Sequence, residues 1–266
     1  MQELISLCAS FDKEVSLTFL QCDPASIAAI RAASSSLLAQ ASRLDVFIAN
    51  LGIIAEKAET TKDGYEIHFG INYLSNTAFL AALLPLMLRT AESEPGGADV
   101  RFVALTSQGA LLHPRKGIDL TRVKDADAFA WSPPLGGAWA RYGQSKLATV
   151  LFAKELARRY PQLTSFAIHP GVVETAFVTG MAVGSRAITR ASQVLKGGLI
   201  KPHEGAYNTL WAATSPDVLR RLREEKEGVA WYEPVGKVAK GDVKCHDEKL
   251  AAELWEWTIK ALEVEL

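Results

Sequence analysis

Apolar positions along the chain fall into two rhythms. Short runs rich in β-branched and aromatic residues, Val15 to Gln21, Leu44 to Ala49, Val100 to Thr106, Thr164 to His169 and Val229 to Tyr232, predict strands. Between them, apolar residues recur at helical spacing and predict helices over Pro24 to Ala41, Thr61 to Ala91, Trp139 to Arg159, His203 to Ala213 and Lys249 to the end. Strands alternating with helices of this length imply an α/β fold with a mostly parallel sheet. Asp23 followed by Pro24 reads as an N-cap with a proline in the first turn. Two irregular stretches, Leu111 to Gly137 and Ala176 to Leu199, are longer than ordinary connections, and such loops usually carry function.

Composition narrows the classes. The 266 residues, 48% of them hydrophobic, suffice for one domain spanning 1–266. With 29 basic against 30 acidic side chains, the chain lacks the footprint of a nucleic-acid binder. The longest uninterrupted apolar run, Phe79 to Leu88, is far short of the roughly 20 residues that cross a bilayer, so no membrane span is expected. The first residues show neither a secretory nor a transit signal. Cys8, Cys22 and Cys245 are widely spaced, which suits free thiols and a cytoplasmic location, and no metal site is expected around them.

In open α/β sheets ligands bind beyond the carboxyl ends of the strands, which directs the search for chemistry. Asn50 and Gly52 follow the second predicted strand, Ser107 the third, and Pro170 and Gly171 the fourth. Tyr142 and Lys146 lie four residues apart on a predicted helix, so phenol and ammonium share one face. A neighbouring cation stabilises a phenolate and would bring Tyr142 toward neutral acid/base chemistry. Alone, that spacing is weak. The convergence of four distant segments on one sheet edge gives it weight. His169 and Cys22 read as packed strand residues, and the six tryptophans as core.

At these residues the sequence resembles the short-chain dehydrogenase/reductase family, and within it the retinol-dehydrogenase-like branch with many fungal members. The motifs are GINYLSNTAFLAALLP, ALTSQGA, RYGQSKLATVLFAKELARRYP, HPGVVETAF and KPHEGAYNTLWAATSP. The resemblance implies a Rossmann-like, doubly wound parallel sheet and chemistry with NADP or NAD on a lipophilic or secondary-metabolite alcohol or carbonyl. It assigns Tyr142 as the proton donor or acceptor, Lys146 as its partner and ribose ligand, and Ser107 as the residue that orients the reacting oxygen. Asn72 is then a water-holding or structural residue, and Asp23, Asn50, Gly52, Pro170, Gly171 and Thr175 line the cofactor groove. A homo-oligomer is left open.

The chain also departs from that pattern. Its first glycine is Gly52, so no TGxxxGxG loop precedes the first helix, and the similar TGMAVGSR at 179–186 lies in the stretch expected to form a substrate lid. By the family pattern the first strand, first helix and second strand are absent. In the order 3-2-1-4-5-6, Leu44 to Ala49 would then face an unpaired edge, unless Val15 to Gln21 closes beside it. NNAG reads Ala49, Asn50, Leu51, Gly52, and a glycine common after the helix asparagine reads Ser75. Two other readings stay open: a non-catalytic binding protein of this descent, and an incomplete reading of a longer enzyme.

Overall fold

The computed structural model describes residues 16–54, 56–133, 135–173, 199–224 and 231–266. Its elements run α1 (Ile27–Leu38), β1 (Val46–Ala49), a π-helix (Phe69–Ser75) continuing into α2 (Asn76–Ala91), β2 (Arg101–Leu105), a short 3-10 helix (Gln108–Leu112) and α3 (Gly137–Arg159). There follow β3 (Thr164–Ile168), α4 (Pro202–Thr214), α5 (Asp217–Glu224), β4 (Trp231–Glu233), β5 (Lys237–Val238), a second 3-10 helix (Val243–His246) and α6 (Glu248–Leu262). The sheet order is β1-β2-β3-β4-β5, parallel through β4, with β5 antiparallel.

The central strands are buried on both faces, as a parallel sheet between helical layers requires. Phe102, Ala104 and Ala167 point into a core shared with α2, α3 and α6, while Val103, Leu105, Phe166 and Ile168 pack with Ala212 of α4, Val218 of α5 and Tyr232. Phe152 of α3 stacks on Trp255 of α6 with ring centroids 5.0 Å apart. This is the doubly wound α/β architecture expected of the sequence.

Several sequence expectations are corrected. Residues 16–22 form no strand: Phe19 is 70% exposed, and an alternating pattern that finds neither a pairing partner nor a core does not hold a strand. β1 therefore stands at the edge of the described sheet, with Ile48 38% exposed. Helix α1 begins at Ile27 and is capped by Ser26, whose hydroxyl accepts from Ala29 N at 3.3 Å. Asp23 instead closes a turn onto Ala25 N and pairs with Lys62 at 2.7 Å. Residues 61–65 stay out of the helix because Thr60 bridges Glu66 in an antiparallel contact.

The stretch Phe69–Ala91, 23 residues, is long and apolar enough by length and composition to cross a membrane, which the count of uninterrupted apolar residues overlooked. Burial inside this fold accounts for its composition, since 78% of the apolar window is covered. The irregular stretch 113–136 is partly packed, with Ile118, Val123 and Ala128 buried. Thr175 and residues 176–198 of the expected lid lie outside the described residues.

Candidate active site

The 3-10 helix that follows β2 packs closely on the first turns of α3 because α3 carries no side chain at Gly143, where the two touch. At Gly143 a Cβ would lie 2.6 Å from His113 N and from the Leu112 carbonyl carbon. At Gly109 it would lie 2.4 Å from the Tyr142 ring. Two glycines thus set the 3-10 helix that follows Ser107 directly against Tyr142.

Ser107 caps that 3-10 helix, its Oγ accepting from Gly109 N at 3.0 Å, and a Cβ at Gly109 would lie 3.4 Å from that Oγ as well as against the Tyr142 ring, so the two side chains flank the same glycine. The Tyr142 ring is 4% exposed and sits edge-on to Trp139 and to His68, with centroids 6.0 and 6.3 Å away. Burial pushes the phenol up to about 12, and the nearby Ser107 side chain offsets this only in part. The expectation that Lys146 brings the phenol toward neutrality is therefore corrected for this arrangement. Lys146 Nζ is 6.0 Å from the ring centroid and donates to the Leu105 carbonyl at 2.9 Å. Burial holds that ammonium down to about 8. Its backbone is fixed as well, since Thr106 Oγ1 donates to the Lys146 carbonyl at 2.8 Å.

Asn72 lies in the π-helix, a widened turn that often accompanies functional sites. Its Oδ1 accepts from Ile53 N at 2.7 Å, and its Nδ2 donates to Ile53 O at 3.0 Å and to Ser145 Oγ at 2.9 Å. Ser145 in turn donates to the Tyr142 carbonyl at 2.7 Å. Both amide protons are thus spent on protein atoms, which favours the structural reading of Asn72 over the water-holding one. Sequence reasoning missed Ser145. It also treated Ser75 as a departure only, whereas the Ser75 hydroxyl hydrogen-bonds the carbonyls of Pro24 and Gly70 and holds the π-turn.

Gly52 completes the group: a Cβ there would lie 3.2 Å from both Asn72 Oδ1 and Lys146 Nζ. Asn50 is exposed just after β1, and the neighbouring Leu51 carbonyl accepts from Asn76 Nδ2 at 3.0 Å. Pro170 and Gly171 follow β3 half-buried, with Gly171 at φ +92°, a conformation that suits glycine. The structure thus gathers Ser107, Tyr142, Lys146, Asn72 and Gly52, while the Asp23 carboxylate is engaged by Ala25 N and by Lys62.

A nicotinamide dinucleotide finds a partial fit. Lys146 offers three donors and, among the described residues, one acceptor at Leu105, so it retains donors for ribose hydroxyls beside the close backbone approach at Gly52. The N-terminus of α1 offers no phosphate site, because the Asp63 carboxylate already accepts from Ile27 N at 2.8 Å.

No family model matches the chain. Among curated proteins it is 33% identical over 251 residues to an uncharacterized oxidoreductase of Schizosaccharomyces pombe, covering 93% of this chain and 70% of that one. It is 30% identical over 254 residues to a short-chain dehydrogenase/reductase of Aspergillus calidoustus, covering 92% and 76%. Identity to retinol dehydrogenase 14 of Mus musculus is 30% over 243 residues, covering 90% and 65%. The fold matches an uncharacterized protein from Mycobacterium paratuberculosis with TM-score 0.66 at 23% identity, covering 99% of this chain and 81% of that one. It matches NADPH-bound carbonyl reductase from chicken fatty liver with TM-score 0.56 at 19% identity, covering 90% and 81%.

Proposed function

Because the chain belongs to the short-chain dehydrogenase/reductase family, we propose that it interconverts an alcohol and a carbonyl on a lipophilic small molecule with NADP or NAD. The observation that carries this reading is the buried Tyr142 ring packed on Gly109 beside the Ser107 side chain, just beyond the carboxyl end of β2. A phenol held near 12 is protonated at neutral pH and is the proton donor when a carbonyl is reduced. In the reverse direction it must accept the alcohol proton, and bringing the Lys146 charge closer than 6.0 Å to the ring would favour that form. Ser107 donates to the reacting oxygen and fixes its place beside the phenol.

Lys146, held at about 8, is mostly charged at pH 7 and would hold the ribose hydroxyls. The cofactor, when bound, supplies or takes the hydride. Burial of Tyr142 among Trp139, His68 and Gly109 keeps bulk water from the phenol. Support for NADP comes from the NADPH-bound carbonyl reductase that shares the fold. Support for a lipophilic substrate comes from the retinol dehydrogenase at 30% identity. Exposed apolar side chains on the segment after Ser107 agree with it, with Leu111 45% and Trp131 97% exposed.

A non-catalytic binding protein remains the second reading, on the observation that the N-terminus of α1 is filled by the Asp63 carboxylate. Fluorescence titration with NADPH and NADH separates the two. Micromolar binding, with oxidation of the bound nucleotide on addition of a long-chain aldehyde, supports the enzyme. Absence of binding by either nucleotide supports the rival.

A further inference from the structure

Beneath the Tyr142 ring lies a buried ionic group that the chemistry above does not use. Glu66 is 1% exposed, His68 0% and Arg141 4%. The Glu66 carboxylate makes four contacts. Its Oε1 accepts from His68 N at 3.1 Å, meets His68 Nδ1 at 2.7 Å and lies 3.2 Å from Arg141 Nε, and its Oε2 accepts from Phe69 N at 2.8 Å. The far side of the imidazole, Nε2, accepts from Glu56 N at 2.9 Å. That bond leaves the proton on Nδ1, facing the carboxylate. Arg141 also donates to the Ala128 carbonyl at 3.2 Å.

The placement of these groups is specific. Phe69 is the first residue of the π-helix that carries Asn72, and Arg141 immediately precedes Tyr142. One carboxylate therefore caps the element holding Asn72 and forms an ion pair at 3.2 Å, without a hydrogen bond, with the residue beside Tyr142, while the imidazole it orients lies edge-on to the phenol ring. Burying three ionisable groups is costly, and hydrophobic residues of similar size would often stabilise a core as well or better. Stability alone is therefore a weak reason for this arrangement.

We propose that Glu66, His68 and Arg141 are positioning residues that fix the Tyr142 phenol against Ser107 and hold it in register with Asn72, Glu66 being the hub. The consequence for turnover rests on the proposed dehydrogenase reading; the effect on the phenol itself does not. A misplacement of about 1 Å at a reacting group costs up to about 100-fold in rate, so an effect on kcat of roughly 10- to 100-fold is expected.

The test incorporates 3-fluorotyrosine and follows its fluorine resonances, of which there are six, one per tyrosine. Tyr142→Phe identifies the resonance of interest. Glu66→Gln keeps size and acceptor but removes the charge, and His68→Phe keeps a ring while removing both nitrogens. Lys249→Gln, on an exposed side chain of α6, is the control. The expected result is a shifted or broadened Tyr142 resonance in both test variants, with kcat lowered at unchanged nucleotide KM, and neither change in the control. His68→Phe alone decides the matter if Glu66→Gln does not fold. An unmoved Tyr142 resonance in the folded variants overturns the proposal. A moved resonance in a chain without turnover sustains the positioning role and counts against the dehydrogenase reading instead.

Discussion

Lys146 Nζ donates to the carbonyl oxygen of Leu105 at 2.9 Å, so the ammonium ends against the last residue of β2. Burial lowers its pKa from 10.5 to about 8. Between those values the unfolded chain binds more protons than the fold, so wild-type stability rises with pH across that window. Below about 8 the burial penalty is fully present; above 10.5 it is gone. Lys146→Met abolishes this slope. Denaturant unfolding of both proteins should show the wild type gaining on the variant by on the order of 1–3 kcal/mol between the two limits. Parallel profiles would place the ammonium in water.

Gly143→Ala should disturb stability and chemistry together. Its Cβ would meet backbone atoms of His113 and Leu112 at 2.6 Å, and backbone cannot rotate away. The 3-10 helix after Ser107 must shift, at about 1–3 kcal/mol of stability as measured by urea unfolding. Since Ser107 orients the reacting oxygen, kcat should fall in the same variant while nucleotide affinity is kept.

Asn72→Ala removes both clamps on Ile53 and the bond to Ser145. The expected loss is roughly 1–3 kcal/mol, from polar groups left without partners. Asn72→Asp should lose the two Nδ2 bonds and keep the Ile53 N–H bond, so its stability falls between wild type and alanine. Calorimetric melting of the three proteins checks that order.

Tyr142→Phe removes one oxygen while the ring keeps its contacts with Trp139 and His68. The melting temperature should change little and kcat should fall by about 10²- to 10⁴-fold, the scale of general acid catalysis. Retention of more than about a tenth of wild-type kcat would remove the phenol from its role.

What the sequence made legible follows from range. Ser107, Tyr142 and Lys146 could be brought together on paper because ligands gather beyond the carboxyl ends of parallel strands and residues four apart share a helix face, while their roles came from the resemblance to the family's motifs. The cap of α1 is Ser26 rather than Asp23, although both satisfy the local rule, because Lys62, 39 residues on, draws the aspartate away. Val15 to Gln21 had the composition of a strand, but strands are decided by partners, and Phe19 has none to bury it. The short β5 and α5 carry too few residues to show a period. The Glu66–Arg141 pair spans 75 positions and breaks the rule that charges stay outside, so only the packed structure reveals it.

Hydride transfer under the control of the Tyr142 phenol can be followed directly. NADPH carrying deuterium at both C4 positions of the nicotinamide, mixed with the protein and a long-chain aldehyde, tests it by mass spectrometry of the alcohol formed. Wild type should give an alcohol with one deuterium at the carbinol carbon, and Tyr142→Phe should give at most a small fraction of that amount in the same time. No labelled alcohol from the wild type, although it binds NADPH, would contradict the account, as would equal yields from both proteins.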